Sequence, residues 1–458
     1  MSDDQNYSVS YRIRLDRRDR LDLAACADEP SADPVYQPIL DAAYDHKNKK
    51  RRKLGKVYRL LMRKKRLPMS PYQRVRTEYL IAEYYRELAY ELDKLGAPEV
   101  EREDDPFGQA ADHYRQAAEI AREIPDAALV AQLKAYESKI CYFSHPTHRR
   151  YRRAFETARE ALDAWSALPS RDITTDMTFA FALGDALGVR GQVVAEDAEA
   201  VRGLEYAARM LYLLQERPDL DPAKYTNDDL FLDWDWAALY YSMGQYRLAF
   251  RKARATKKKG DALFTIQNRA RFQCLIARIM LACVEEGEVG DYSRARLMAA
   301  ASAALAEAKR WWQIGKDQGQ EDRAAYAMIL LAAAKWLALN NEPDGRIPRI
   351  EEAEAIAAAR ADILLMGQVK IAWGDEFAFQ HRARPARKKL EAAEKQYHDA
   401  IAMLEDVEAF SLARIAWFSL ARVAWLRLER LSQRPTHRNA ATPRPAIVQP
   451  APNMIPLR

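Results

Sequence analysis

Histidine and carboxylate side chains are the groups most often used for catalysis and metal binding, and here their spacing favours neither. The chain has seven histidines. His145 and His148 lie close in sequence, but Pro146 interrupts any helix that would aim them at one ion. Adjacent carboxylates such as Glu285 and Glu286 are typical of solvated helix faces. We therefore expect no catalytic residue and no metal site.

Short patterns that bind phosphates, nucleotides or catalytic metals are also missing. The sequence contains no GxxxxGK[ST], GxGxxG, GxSxG or HExxH. These patterns work because glycines let the backbone approach a phosphate, or because two histidines share one helix face. Their absence predicts a protein that is not an enzyme and that holds no cofactor.

Aromatic side chains are more informative than the ionisable ones. Phe231, Trp234, Trp236, Tyr240 and Tyr241 crowd one short segment. Large rings either fill a core or anchor a binding surface, because each buries a large apolar area. The residue types alone leave core packing and partner binding open for each of them.

A strongly basic segment is the third candidate for chemistry. Residues 47–76 hold 14 Lys or Arg and no Asp or Glu, and the next acid is Glu78. The rest of the chain is net acidic. Clustered cations release counterions when they meet phosphates, so this segment could contact nucleic acid, an acidic protein surface or nothing. The residues we single out for nucleic-acid binding are Lys49, Lys50, Arg51, Arg52, Lys53, Arg63, Lys64, Lys65 and Arg66.

The elements that must position these residues are helices. Only 16 glycines occur among 458 residues, and apolar residues recur at three and four residue spacings from about residue 70 to 431. We expect residues 1–46 to be mostly irregular, 47–69 to be the basic segment, 70–431 to be one helical domain and 432–458, with six prolines, to be a disordered tail.

The predicted helices span 108–123, 127–142, 150–167, 196–215, 230–243, 246–257, 263–285, 291–314, 321–340, 350–365, 387–405 and 409–430, after a first one that Ser70 caps with Pro71 at its first position. No run of 18 apolar residues and no secretory signal are present, which predicts a cytoplasmic protein without membrane contact.

One pattern repeats within the helical region. Gly244-x-Tyr246-x-x-Ala249-x-x-x-Ala253 recurs as Gly290-x-Tyr292-x-x-Ala295-x-x-x-Ala299. The glycine allows a tight turn between two antiparallel helices, the tyrosine fills the gap beside that turn, and alanines four apart let the helices approach closely.

This pattern resembles the tetratricopeptide-repeat family, in which a small and an aromatic residue precede it, as Ala237 and Tyr240 do here. The resemblance implies an all-α, right-handed α-solenoid of antiparallel helix pairs with irregular, long repeats. It also implies that Phe231, Trp234 and Tyr241 face an inner groove that binds a peptide or protein partner. Trp234 and Ala238 replace the Lys and Asn with which part of the family clamps a terminal carboxylate, so we do not expect that mode.

Alanines that mark the second helix of each pair set the length of the repeat. They lie about 47 residues apart on average, whereas the family standard is about 34. This predicts longer helices, extra turns or an additional helix pair near residues 320–340. The alanines are Ala110, Ala154, Ala207, Ala249, Ala295, Ala353 and Ala393.

The sequence therefore predicts a non-enzymatic scaffold or regulatory adaptor that binds a peptide or protein in a solenoid groove. The alternative is a nucleic-acid-associated regulator that contacts phosphates through residues 47–76. The partner and the oligomeric state are not encoded in any pattern that we recognise.

Overall fold

The structure, a computed structural model, describes residues 61–63, 65–94, 106–124, 127–143, 150–168, 174–217, 225–260, 264–287, 290, 292–342 and 344–433. These residues form α-helices and no strand. The predicted irregular segment 1–46, most of the basic segment and nearly all of the predicted tail lie outside the described residues.

The helices are α1 (Pro71–Lys94), α2 (Pro106–Ala121), α3 (Ala127–Phe143), α4 (Tyr151–Ser166), α5 (Thr174–Val193), α6 (Asp197–Gln215), α7 (Thr226–Ser242), α8 (Tyr246–Gly260), α9 (Ile266–Glu285), α10 (Arg294–Asp317), α11 (Arg323–Leu339), α12 (Arg346–Ala359), α13 (Ile363–Ala383), α14 (Arg387–Asp406) and α15 (Phe410–Gln433).

Polar caps fix where several helices begin. Before α1, the Gln73 backbone N–H donates to the Ser70 hydroxyl at 3.3 Å and the Ser70 N–H donates to the Gln73 side chain at 3.1 Å. This reciprocal capping box confirms the predicted start of α1. Thr265 and Asp362 each accept the backbone N–H three residues later, which satisfies donors that have no partner inside the helix.

Consecutive helices pair into antiparallel hairpins, α1 with α2 and so on to α13 with α14, and the hairpins stack side by side. Six of the seven predicted alanines lie on the second helix of a hairpin with no exposed surface, namely Ala110, Ala154, Ala207, Ala249, Ala353 and Ala393. An alanine there lets the first helix of its own hairpin approach closely. The predicted fold, an all-α solenoid of paired helices, is confirmed.

The second copy of the repeat pattern packs differently from the first. After α7, Gly244 takes a left-handed φ of 76° and α8 starts at Tyr246, as predicted. After α9 the connection is longer, and the cap at Ser293 delays α10 until Arg294. Ala295 is consequently exposed, and Leu297 and Ala301 pack in its place.

Long helices account for the repeat length. Residues 323–339 form α11, the first helix of the hairpin whose second helix carries Ala353, so no additional pair exists near 320–340. For α5 and α13, the sequence pattern predicts no helix over most of the residues that form them.

The end of the array packs against its middle. Arg414 of α15 makes two hydrogen bonds to the Asp197 carboxylate at the start of α6, at 2.6 and 3.1 Å. Glu408, between α14 and α15, accepts the backbone N–H of Arg152 at 2.7 Å. One apolar cluster joins α3, α4 and α5 to α13, α14 and α15. The curled array therefore encloses a space lined by the first helices of the hairpins.

None of the helices in the described ranges is both long enough and apolar enough to cross a membrane.

Candidate functional site: the central cavity

A cavity of about 400 Å³ lies inside the curl of the array. Most of its lining comes from α7, α9, α11, α13 and α15, the odd-numbered helices that stack on the inner side. We call it the central cavity. Its apolar walls include Leu281, Leu331, Ile371, Ile415 and Val423.

A charged cluster crosses the central cavity and consists of Glu285, Lys335, Asp375 and Arg422. The Glu285 carboxylate of α9 pairs with the Lys335 ammonium of α11 at 2.7 Å and with the Arg422 guanidinium of α15 at 3.1 Å. Lys335 also lies 3.6 Å from Asp375 of α13, which accepts a 2.7 Å hydrogen bond from the Tyr397 hydroxyl. Four inner helices are thus tied together by side chains that face one space.

These ion pairs fix the charge state of the cluster. Burial alone would raise the pKa of Glu285, but Lys335 and Arg422 outweigh burial and bring it to about 2. Burial would lower the pKa of Lys335, yet the carboxylates of Glu285 and Asp375 raise it. The pKa of Arg422 is likewise raised by Glu285 and Asp375 against the effect of burial. At neutral pH Glu285, Lys335 and Arg422 are therefore all charged.

Two further arginines give the cavity a surplus of positive charge. Arg278 lies over the ring of Tyr241, 5.2 Å from its centroid, and contacts the Gln368 amide oxygen at 3.4 Å. Arg382 lines the same space from the end of α13. Within the described part of the chain, neither makes an ion pair with a carboxylate. The cavity can therefore bury apolar groups and also attract a negative charge.

Of the three predicted groove residues, Tyr241 lines the central cavity. Trp234 is only 8% exposed, and its ring packs against Phe264 and Phe272 at centroid distances of 5.4 and 5.3 Å. Phe231 is half-buried beside the same rings, 5.3 Å from Phe264. The structure thus separates Tyr241 from the other two, and partner binding by any of the three stays a prediction.

No pattern in the sequence predicts the charged cluster. The adjacent Glu285 and Glu286 favour a solvated helix face, whereas Glu285 is mostly buried among cations. The other members of the cluster come from three other helices, at positions that no local spacing connects. One local signal does exist, because Lys335 is a lone charge inside the apolar run MILLAAAKWLAL.

The structure describes only part of the basic segment. Lys49 to Lys53 and Lys64 lie outside the described residues. Arg63, Lys65 and Arg66 are exposed just before α1, and Lys65 pairs with Glu78 at 2.8 Å.

Some other basic residues of the array are paired with carboxylates. Arg152 pairs with Glu196 at 2.7 Å, and Lys259 pairs with both Asp229 and Asp233 at 2.7 Å. The described helices also contain no group of three or more His, Cys, Asp or Glu side chains placed to hold a metal ion.

Comparisons with known proteins identify no relative by sequence. No protein-family profile matches the chain, and no curated protein matches it. Solved structures that resemble it include a Rap protein complexed with competence and sporulation factor. That structure aligns over 79% of this chain and 99% of its own, with a TM-score of 0.38 and 11% sequence identity.

Proposed function

We propose that the chain is a non-enzymatic scaffold or regulatory adaptor whose central cavity holds part of a peptide or protein partner. The observation that supports this proposal is the cavity itself, a space of about 400 Å³ between helices of four hairpins and α15. Ligand-binding pockets have volumes of roughly 300–1,000 Å³. The space is therefore large enough for a few side chains of a partner.

The walls suit a partner that is apolar with at least one negative charge. Leu331, Ile371 and Val423 offer apolar surface from three helices, and burying a partner's apolar side chains there provides the driving force for binding. Arg278 and Arg382 supply positive charge without a carboxylate of their own. Because the charged cluster already fixes α9, α11 and α15 together, little ordering cost remains when the partner binds.

The test selects peptides on the immobilised full chain by phage display and compares two substitutions. Ala338→Trp places an indole on the wall of the central cavity, whereas Ala303→Trp places the same indole on the exposed face of α10. We expect selected peptides to lose at least about tenfold in affinity with the first variant, equivalent to about 1.4 kcal/mol.

The matched control, Ala303→Trp, should bind the selected peptides as the unchanged chain does. Circular dichroism and a denaturation curve of both variants show whether each keeps the helical fold. Undiminished binding by a folded Ala338→Trp protein would refute the central cavity as the site.

We propose, as a second candidate, that the basic segment contacts nucleic-acid phosphates. The exposure of Arg63 and Arg66 favours this candidate, because both belong to the most positively charged segment of the chain. Among the described residues, neither has a carboxylate at ion-pair distance. Binding of this kind is electrostatic and largely independent of sequence.

Salt dependence tests the second candidate. Affinity for a fluorescent single-stranded oligonucleotide should fall steeply between 50 and 200 mM salt, by on the order of 1,000-fold if six or more phosphates are contacted. Neutralising Arg63 and Arg66 together with Lys49 to Lys53 should abolish this binding. Binding that survives these substitutions excludes the basic segment as the contact.

A further inference from the structure

The last described helix presents an apolar stripe to solvent. Trp417, Ala421, Ala424, Trp425 and Leu428 lie within about a quarter of the helix circumference, and all five are exposed. The exposed fractions are 47% for Trp417, 61% for Trp425 and 60% for Leu428. Two tryptophans this exposed on one helix face indicate a surface that something covers.

This stripe has the spacing of a hairpin face. In α5, the residues that touch the second helix of the hairpin include Gly184, Gly188 and Gly191. In α15 the small residues Ala421 and Ala424 recur with the same three-residue step. Each odd-numbered helix from α1 to α13 is followed by the second helix of its hairpin. In the described part of the chain, no helix follows α15. The α15 stripe is therefore the face that a partner element would cover.

The stripe is too small for a stable contact between two copies of the chain. Its two rings and Leu428 expose on the order of 350 Å² in total, taking roughly 200 Å² for a fully exposed aromatic side chain. Stable association usually needs about 800 Å² from each partner. A segment already tethered to α15 needs less area, because tethering removes most of the entropic cost of association.

The tethered segment is the 25 residues that follow Gln433. It contains six prolines. Proline-rich segments in general do not form regular helices and favour the extended polyproline II conformation, which docks on aromatic surfaces. Trp417 and Trp425 are about 12 Å apart along the helix axis. Four residues of polyproline II, such as the step from Pro452 to Pro456, also cover about 12 Å.

Side-chain chemistry matches as well. The segment carries the apolar residues Ile447, Val448, Met454, Ile455 and Leu457, and it contains four arginines and no acidic residue. The stripe borders the exposed carboxylate of Glu405 at the end of α14, which accepts a 3.2 Å hydrogen bond from the Trp417 indole. An apolar surface with a carboxylate at its edge would therefore suit an apolar segment interspersed with arginines.

We propose that residues 434–458 lie along the α15 stripe as an extended strap, where a partner helix packs in each of the hairpins. The strap covers Trp417 and Trp425 within the same molecule. This contact lies on a helix face other than the one that lines the central cavity, so it does not depend on the proposed peptide binding.

Hydroxyl-radical footprinting read by mass spectrometry tests the strap. In the full chain, Trp417 and Trp425 should be oxidised several-fold more slowly than in a chain that ends at Gln433. Trp234 and Trp312, both buried in the array, serve as internal references and should not change. In the full chain, Val448→Asp with Ile455→Asp should give the fast oxidation of the shortened chain.

A matched control places a charge in the same segment without removing an apolar group. Gln449→Asp should keep the slow oxidation. Equal oxidation of both tryptophans in the full and shortened chains would overturn the proposal. Protection that disappears on dilution, together with a dimer mass in light scattering, would overturn it too, because a second copy would then be the cover.

Discussion

In hairpin α5/α6 the two helix backbones touch, whereas in the adjoining α7–α9 region aromatic rings fill the space between helices. A Cβ atom added to Gly203 of α6 would lie 2.5 Å from the backbone nitrogen of Gly188 and 2.6 Å from the Gly184 carbonyl oxygen. In the second region the rings of Trp234, Phe264 and Phe272 lie 5.2 to 5.4 Å apart.

The difference shows which changes each region tolerates. A backbone contact leaves no room for an extra atom, so substitutions there fail through repulsion. A ring cluster depends on filled volume, so substitutions there fail through the cavity left behind. The same array therefore contains one region that is sensitive to additions and another that is sensitive to removals.

The largest effect is expected from removing a ring. Trp234→Ala should lower the free energy of unfolding by about 4 kcal/mol, because a buried ring cannot be replaced by relaxation of its neighbours. Chemical denaturation followed by circular dichroism measures this loss. Tyr212→Ala, at a side chain that is 60% exposed on α6, is the control and should cost less than about 0.5 kcal/mol. A loss of stability no larger than that of the control would show that the α7–α9 region does not depend on the volume that the Trp234 ring fills.

An added methyl group should come next. Gly203→Ala should lower the free energy of unfolding by about 2–3 kcal/mol, although alanine is the better helix former, because the new atom meets backbone on two sides. The same denaturation experiment measures it. A variant as stable as the unchanged chain would mean that α5 and α6 can separate at no cost.

The stability that the charged cluster contributes should depend on pH, unlike that of the two regions just compared. Because the pKa of Glu285 is lowered to about 2, its ion pairs stabilise the fold above pH 4.5, and this contribution is lost as the pH falls toward 2. Glu285→Gln should cost about 2 kcal/mol at pH 7 and progressively less in acid. The costs of Gly203→Ala and Trp234→Ala involve no ionisable group and should stay constant. Parallel pH dependence of all three variants would contradict this assignment.

The smallest effect is expected at a glycine whose added Cβ would be only slightly crowded. Gly315 of α10 would place a Cβ 3.3 Å from the Gln320 carbonyl oxygen and 3.4 Å from Ile266. Gly315→Ala should therefore change the free energy of unfolding by less than about 0.5 kcal/mol in either direction, since the gain in helix propensity offsets a shift of a few tenths of an ångström in the neighbours. A shift in the denaturation midpoint detects either result, and a loss like that of Gly203→Ala would show that the glycine contact of α5 and α6 is not special.

The sequence predicted most of the helices and missed two, α5 and α13, that contain glycines and are buried on more than one side. Helix α5 carries Gly184, Gly188 and Gly191, and α13 carries Gly367 and Gly374, so both look like poor helices. Their glycines permit close contact with α6 and α14, a tertiary gain that outweighs propensity. Helix hairpins were predictable from alanines because that packing rule is local.

The site was less predictable than the fold. Tyr241 was singled out from its position in a resemblance, and it lines the central cavity. The Arg422 guanidinium lies 3.1 Å from the Glu285 carboxylate. In the sequence, however, Arg422 lies 136 residues after Glu286, the residue that follows Glu285. Contacts of this kind depend on the curl of the whole array, which no pattern within one helix pair reveals.

The bonds from Arg414 to Asp197 join positions 217 residues apart, and this has a consequence for synthesis. The early hairpins can fold as they leave the ribosome, since each needs only its neighbours. Helix α15 emerges after all the other described helices, and one wall of the enclosed space is missing until then. A polypeptide interrupted before Arg414 would thus keep most of these helices and still lack the wall that closes the central cavity.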